Sequence, residues 1–540
     1  MSASSSSLDR LAMTVLQPGF DGVTPPDWLR RALADGLGGA VLFARNIVDV
    51  PQTAALVAAL REENPAVVVA ADEEGGAVTR FEAGPGSSWP GNRALGVVDD
   101  VTRTEQVARA IGRLLAAADV TLNYAPVADV NANPANPVIG IRSFGPDPEL
   151  VARHTAAWIT GLQAEGVAAC AKHFPGHGDT VTDSHLALPT VHASLEVLRE
   201  RDLPPFRAAV EAGVQSMMCG HLLVPALDPD GPATLSRRIL TGLLREELGF
   251  RGMLVTDAIE MRAVAALHPP GEVAVRALMA GADAICVGVS SPGGESVYAL
   301  RDAIVAAVRD GRLPEERLAE AAARVLAVAD WHTAQAATRR AAQERPGRGY
   351  AEGTDEESVE EGAEKSGEQL GLEVARAAMR VVVPGAPTTG APTTGAPTTG
   401  TPQPVPISEP PLVVHIAPRM SRAVESGAPV GLTRELNELL PGTEGHTITA
   451  EATTLPDLSG DRPVVLVVHD AGRHAWVHEL LATAVQARPD AIVVETGIPA
   501  QPVGAVYVTT HGVSRASERV VARWLTGSER TRPRQEKAEG

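Results

Sequence analysis

The stretch Lys172-His173-Phe174-Pro175-Gly176-His177-Gly178-Asp179-Thr180-Val181-Thr182-Asp183-Ser184-His185 gathers acids, bases and chain-breaking residues directly after an apolar run. Proton transfer is the chemistry these types offer, because an imidazole with a reference pKa near ~6.5 both gives and takes a proton around neutral pH. Asp183 and His185 are two apart. In an extended segment they project to one side, where the carboxylate fixes the ring's tautomer and raises its basicity. Pro175, Gly176 and Gly178 deny the segment helix and strand alike and make it a loop able to carry those groups toward a substrate. The same three histidines and two aspartates could ligate a metal, or the stretch could be an ordinary polar surface loop. Lys172 beside His173 argues against a neighbouring cation.

Something rigid has to present this loop. The run before it, 167–171, is short and apolar and follows a helical pattern, which reads as a buried parallel strand with Lys172 and His173 at its C-terminal end. Similar runs recur at 39–43, 67–71, 120–124, 214–219, 253–256 and 284–288, with 11–16 a weaker candidate, and amphipathic helical stretches alternate with them. Seven or eight such units over residues 8–332 predict an α/β fold of the TIM type, a (β/α)8 barrel, whose sites form at the C-terminal ends of the strands. Those ends carry Asp72, Glu73, Glu74 and Arg80, then Asp129 and Arg142, then Lys172 and His173, then His221, and finally Asp257. Burying all of these as structural ion pairs would be costly, so they are expected to converge on one mouth. Asp257, in Val255-Thr256-Asp257-Ala258-Ile259-Glu260-Met261, has two readings: an N-cap for a helix over 259–266, or a carboxylate nucleophile. Spacing alone does not decide between them.

Segment 172–189, KHFPGHGDTVTDSHLALP, resembles the signature loop of the family 3 glycoside hydrolases, in their β-N-acetylglucosaminidase branch. Pro232-Ala233-Thr234-Leu235-Ser236, Leu248-Gly249-Phe250-Arg251-Gly252 and the Thr-Asp-x-x-x-Met run ending at Met261 follow in order, so the resemblance extends over residues 8–330. It implies a retaining exo-β-N-acetylglucosaminidase that removes terminal GlcNAc from cell-wall muropeptides or related glycosides through a covalent glycosyl-enzyme. It further implies Asp257 as nucleophile, His185 as general acid/base with Asp183 orienting it, and Asp72, Arg80, Arg142, Lys172 and His173 as holders of the terminal sugar's hydroxyls. No metal or organic cofactor is implied. The chain departs from the pattern at Ala77, where Arg is common, and at Ala258, where Asp is common, which bears on subsite shape. A β-glucosidase or β-xylosidase of the same family is one alternative, although those branches draw the acid/base from elsewhere. A phosphorylase is another, because a neutral histidine base does not repel phosphate. A non-catalytic sugar-binding protein is a third, at odds with the presence of both Asp257 and the Asp183/His185 pair.

Beyond the barrel the character of the chain changes. Residues 333–370 read as an acidic, solvated linker with too few large apolar side chains to bury a core. Residues 371–526 read as a smaller open α/β sandwich in which 371–383 is a helix running into a strand, with a low-complexity APTTG and Pro-rich insertion at 385–411. No glycine-rich phosphate loop stands at its strand-to-helix turns. Residues 1–7 and 527–540 are expected to be disordered. A formal charge of −19 with no basic cluster argues against nucleic-acid and anionic-membrane partners, and the family resemblance implies a GlcNAc-containing saccharide as the partner. The serine-rich start lacks the positive charge and apolar core of a signal peptide, and no run approaches a membrane span, so a cytoplasmic location is expected. Cys170, Cys219 and Cys286 each fall in a predicted strand and read as reduced core residues.

Overall fold

In the first unit, side chains two apart along short strands face one core, and this alternation organises the sheet. The strands are β1 Leu16–Pro18, β2 Gly39–Leu42, β3 Val68–Ala71, β4 Leu122–Asn123, β5 Ala168–Phe174, β6 Ser216–Cys219, β7 Met253–Thr256 and β8 Ile285–Val287, all buried. The computed structural model describes residues 3–343, 356–384, 407–418 and 431–528. Strands β2 to β7 form a parallel sheet in chain order, and β1 pairs in parallel with β8. Single bridges from Gly19 to Val41 and from Val255 to Ala284 link the two ladders at both edges, so the sheet curls. Val68 and Ala70, Ala168 and Cys170, Met253 and Val255, and Ala284 and Cys286 meet Val325, Val328 and Ala329 of the helix Glu315–Gln343 in one apolar cluster. All three cysteines are buried and unbridged.

Several boundaries differ from the sequence reading. Residues 11–16 are not a strand, and residues 3–7 are not irregular: a helix spans Ala3–Thr14, with Leu8, Ala12 and Met13 buried at helical spacing, and the strand starts at Leu16. Strand β5 runs to Phe174, past the expected end at 171, so Lys172 and His173 lie in regular structure. The segment expected to be a linker begins inside the helix Glu315–Gln343, whose Ala, Gln and Arg are good helix formers. His332 of that helix is buried, with Nδ1 2.8 Å from the Gly166 carbonyl and Nε2 3.1 Å from Asp119. A second helix, Glu356–Ala378, covers the linker's later part, and residues 344–355 lie outside the described residues. No helix among the described residues is long and apolar enough to cross a membrane.

Asp283, just before β8, is fully buried. Its Oδ1 accepts from Arg317 at 2.7 Å and Arg324 at 3.1 Å, and its Oδ2 accepts from Arg245 and from the Leu254 amide. At the N-terminal end of the strands such a network serves stability. Asp283→Ala leaves three guanidinium groups without their shared anion. It should cost about 3–5 kcal/mol in calorimetric unfolding while changing kcat little at temperatures where the chain stays folded.

The chain divides into two compact units, with the main break after Leu370. The second unit contains β9 Arg380–Val382, β10 Leu412–Ile416, β11 Glu444–Ile448, β12 Val464–Val468, β13 Ile492–Glu495 and β14 Val506–Thr509. They form one sheet in the order β11-β10-β12-β13-β14-β9, parallel except for the edge strand β9. Val413, Val465, Val467, Val506 and Val508 face the helices Gly431–Leu439 and Arg515–Leu525. Val414, Leu466, Val493 and Tyr507 on the opposite face pack with Val477, Leu481 and Ala484 of the helix Ala475–Ala487. The edge strand β11 is exposed at every residue but its last, Ile448. Residues 385–406 of the low-complexity insertion and 529–540 of the tail lie outside the described residues.

Candidate active site

Buried β-strands end in charged residues here because each charge finds a partner from another strand. Lys172, near the end of β5, places Nζ 2.7 Å from Asp72 Oδ1 and 2.7 Å from Glu74 Oε1 in the loop after β3. Arg142, from the loop after β4, makes a two-pronged pair with the same Glu74, at 2.8 Å and 3.0 Å, and also donates to the Val138 carbonyl at 3.0 Å. Arg80 lies 3.6 Å from Asp72 Oδ2. Burial pushes the Glu74 carboxyl up, but Arg142 and Lys172 outweigh it and hold the group well below the usual carboxylate range. Burial likewise disfavours the Lys172 ammonium, and Asp72 and Glu74 reverse this and raise its pKa.

A second buried carboxylate organises the other side. Asp129, fully buried, accepts from His173 Nδ1 at 2.7 Å and from the His177 amide at 2.7 Å. A carboxylate at this distance accepts a hydrogen bond from Nδ1–H and so leaves Nε2 as the unprotonated nitrogen of the neutral ring. Asp129 itself is held below the ordinary range because His173 and His177 outweigh the effect of burial.

The loop after β5 returns to the same place. Asp183 Oδ1 accepts both the His185 amide at 2.9 Å and His185 Nδ1 at 2.7 Å. The pair forms within a tight turn, not in the extended segment expected from the two-residue spacing: the aspartate captures the backbone two residues on and thereby brings the ring to itself. Asp257 follows β7. Its N-cap reading does not survive, because the next helix is Arg262–Ala265 with Met261 at its cap, while Asp257 Oδ1 accepts from the Ala258 amide at 2.8 Å. Burial would raise the Asp257 pKa; the imidazoles of His221, His173 and His185 and the Ala258 amide outweigh it, and the group is held as a carboxylate.

Asp72, Arg80, Arg142, Lys172, His173, His185 and Asp257 line one cavity of about 320 Å³. Asp183 stands behind His185. Every residue singled out from the sequence as a site candidate is therefore in this cavity or bonded to a residue that is.

Three more residues matter that sequence reasoning left without a role. Glu74 neutralises the two cations. Asp129 anchors His173. His221, buried and with its pKa lowered by burial, donates from Nε2 to the Ala258 carbonyl at 3.0 Å and places Nδ1 2.7 Å from Thr234 Oγ1, bracing the backbone beside Asp257. Their positions after strands were the available signal. Among the described residues, no cluster of three or more His, Cys, Asp and Glu is arranged to hold a metal ion.

The sequence model for the glycosyl hydrolase family 3 N terminal domain matches residues 17–328. The chain belongs to this family. A β-hexosaminidase A of Pseudoalteromonas piscicida is 36% identical over 296 residues, covering 51% of this chain and 48% of that protein, about half its length. A β-hexosaminidase of Stenotrophomonas maltophilia is 38% identical over 271 residues, covering 48% of this chain and 78% of the relative. Among solved structures, a family 3 β-N-acetylglucosaminidase from Paenibacillus sp. superposes with a TM-score of 0.80 at 33% identity, covering 96% of each chain. The family 3 resemblance read from segment 172–189 is borne out.

Proposed function

We propose that this family 3 chain is a retaining exo-β-N-acetylglucosaminidase, acting on terminal GlcNAc of cell-wall-derived muropeptides or related glycosides, in the context of peptidoglycan recycling. We read its first unit as a complete (β/α)8 barrel, a reading supported by the two bridges that link its ladders. The observation that carries the proposal is that a carboxylate, Asp257, and a carboxylate-bound imidazole, His185, line one cavity together with the charged groups suited to a sugar's hydroxyls.

In the first step an Asp257 carboxylate oxygen attacks the anomeric carbon while His185 Nε2–H protonates the departing glycosidic oxygen. The C–O bond to the aglycone breaks as the bond to Asp257 forms. In the second step His185, now neutral, takes a proton from water, whose oxygen displaces Asp257 and restores the original anomeric configuration. Asp183 keeps Nδ1–H occupied, so Nε2 is the nitrogen that works in both steps. Asp72, Arg80, Arg142, Lys172 and His173 hold the terminal sugar; bonds that tighten as the ring flattens raise the rate as well as the affinity. Their mutual ion pairs fix them before substrate arrives, so little reorganisation is needed.

Initial rates on p-nitrophenyl β-glycosides of GlcNAc, glucose and xylose test the substrate assignment, with clear preference for GlcNAc expected. Preference for glucose would overturn it. Product analysis in phosphate buffer tests the reaction: free GlcNAc is expected, and accumulation of GlcNAc-1-phosphate would make the chain a phosphorylase.

A further inference from the structure

His177 is buried, lines the cavity and has no part in the chemistry above, yet its hydrogen bonds are fully directed. Thr180 Oγ1 has one proton and donates it to the His177 carbonyl at 3.1 Å. The same oxygen therefore accepts from His177 Nδ1–H at 2.8 Å, and it also receives Asn136 Nδ2 at 3.3 Å. Asn136 Nδ2 binds the His177 carbonyl as well, at 2.8 Å. With Nδ1 protonated, Nε2 of the neutral ring is an acceptor, and its partner at 3.2 Å is the Ser184 hydroxyl. Burial, with the neighbouring His173 adding to it, pushes the His177 pKa down to about 4, which keeps this tautomer neutral across ordinary working pH. Ser184 is 2% exposed and sits between Asp183 and His185. Its carbonyl in turn accepts from the Ala263 amide at 3.3 Å, on the segment that follows Asp257. At the other end, the His177 amide is bound by Asp129, the carboxylate that also fixes His173.

We propose that His177 is a positioning residue for His185, acting through the Ser184 hydroxyl, and that the chain Asp129–His177–Ser184 sets the acid/base loop by reference to the residue that grips the sugar. This rests on the assignment of His185 as acid/base. The relay gives the loop between Gly178 and Ser184, which has no regular structure of its own, a fixed point immediately next to the working histidine. It couples three places that must agree within a fraction of an ångström for proton transfer: His173, His185 and the Asp257 segment. The ring's neutrality is part of the design, because an imidazolium could not accept from Ser184.

The test compares Ser184→Ala, Ser184→Thr and His177→Phe with the wild-type chain on phenyl and 2,4-dinitrophenyl β-N-acetylglucosaminides. A misplaced acid harms the substrate that needs protonation. Ser184→Ala and His177→Phe should lower kcat/KM on the phenyl glycoside by about tenfold or more and on the dinitrophenyl glycoside by less than about twofold, with Ser184→Thr close to wild type. Equal losses on both substrates, or none, would overturn the relay. Amide hydrogen exchange reads it independently of turnover: segment 181–187 should exchange faster in Ser184→Ala and His177→Phe, with strand β5 unchanged. If wild type turns over neither glycoside but the exchange result holds, the relay stands as a loop anchor and the glycosidase reading falls. If turnover is normal and exchange does not change, the relay falls alone.

Discussion

Asp257→Ala lowers kcat/KM on an N-acetylglucosaminide by about 10⁴-fold or more, equivalent to ~5 kcal/mol of transition-state stabilisation, while leaving the fold intact. The size follows from the role: without the carboxylate no covalent intermediate forms, and nothing else on that side of the cavity replaces it. The fold should survive because the side chain's hydrogen bond goes to the adjacent Ala258 amide, and the backbone is held elsewhere, by Asp257 N–H to the Cys219 carbonyl and by His221 at Ala258. The check is kinetics together with calorimetry on the same preparation. Retention of more than about a tenth of the wild-type rate would remove Asp257 from the mechanism.

Glu74→Gln has the opposite character, striking stability and activity together. The carboxylate compensates two buried cations, Lys172 and Arg142, and the neutral amide leaves them facing one another with Asp72 as the remaining nearby anion. Breaking one member of a buried ionic group costs about 3–5 kcal/mol, far more than a surface pair. The sign of the pH dependence is fixed by the direction of the shift. Glu74's folded pKa lies below its unfolded value, so its contribution is complete above the unfolded pKa, near ~4.3, and is lost as pH falls through the folded value. The stability gap between wild type and Glu74→Gln should therefore be full at pH 7 and shrink progressively below about pH 4.3 in urea unfolding. A gap that stayed constant down to pH 3 would mean the pairing is not what stabilises the site.

How far the sequence could be read depended on the range of the interaction involved. Val67-Val68-Val69-Ala70-Ala71 and its counterparts announced parallel strands through local composition alone, and the polar residues after them announced the site. The Asp183/His185 pair was legible because both partners lie in one turn, although the turn itself was mistaken for extended chain. Glu74 was visible only as a charge after a strand; its value comes from Lys172 and Arg142, nearly a hundred and nearly seventy residues away in the chain, and no local pattern carries that. Asp129 and His221 were obscure for the same reason. Strand β11, Glu444-Gly445-His446-Thr447-Ile448, escaped because it is an exposed edge whose pairing with β10 supplies the order that its own side chains do not. The helix Ala3–Thr14 escaped because its serines suggested a solvated start, while Leu8, Ala12 and Met13 hold it by burial.

The central claim is that the sugar becomes covalently attached to Asp257. Incubation with 5-fluoro-β-N-acetylglucosaminyl fluoride, which slows both steps but slows release more, followed by intact-mass measurement and peptide mapping, tests it directly. One fluorinated N-acetylhexosaminyl residue on the peptide containing Asp257, absent in Asp257→Ala, is the predicted result. An adduct on a different residue, or rapid turnover with inversion at the anomeric carbon and no adduct under any quench, would contradict it.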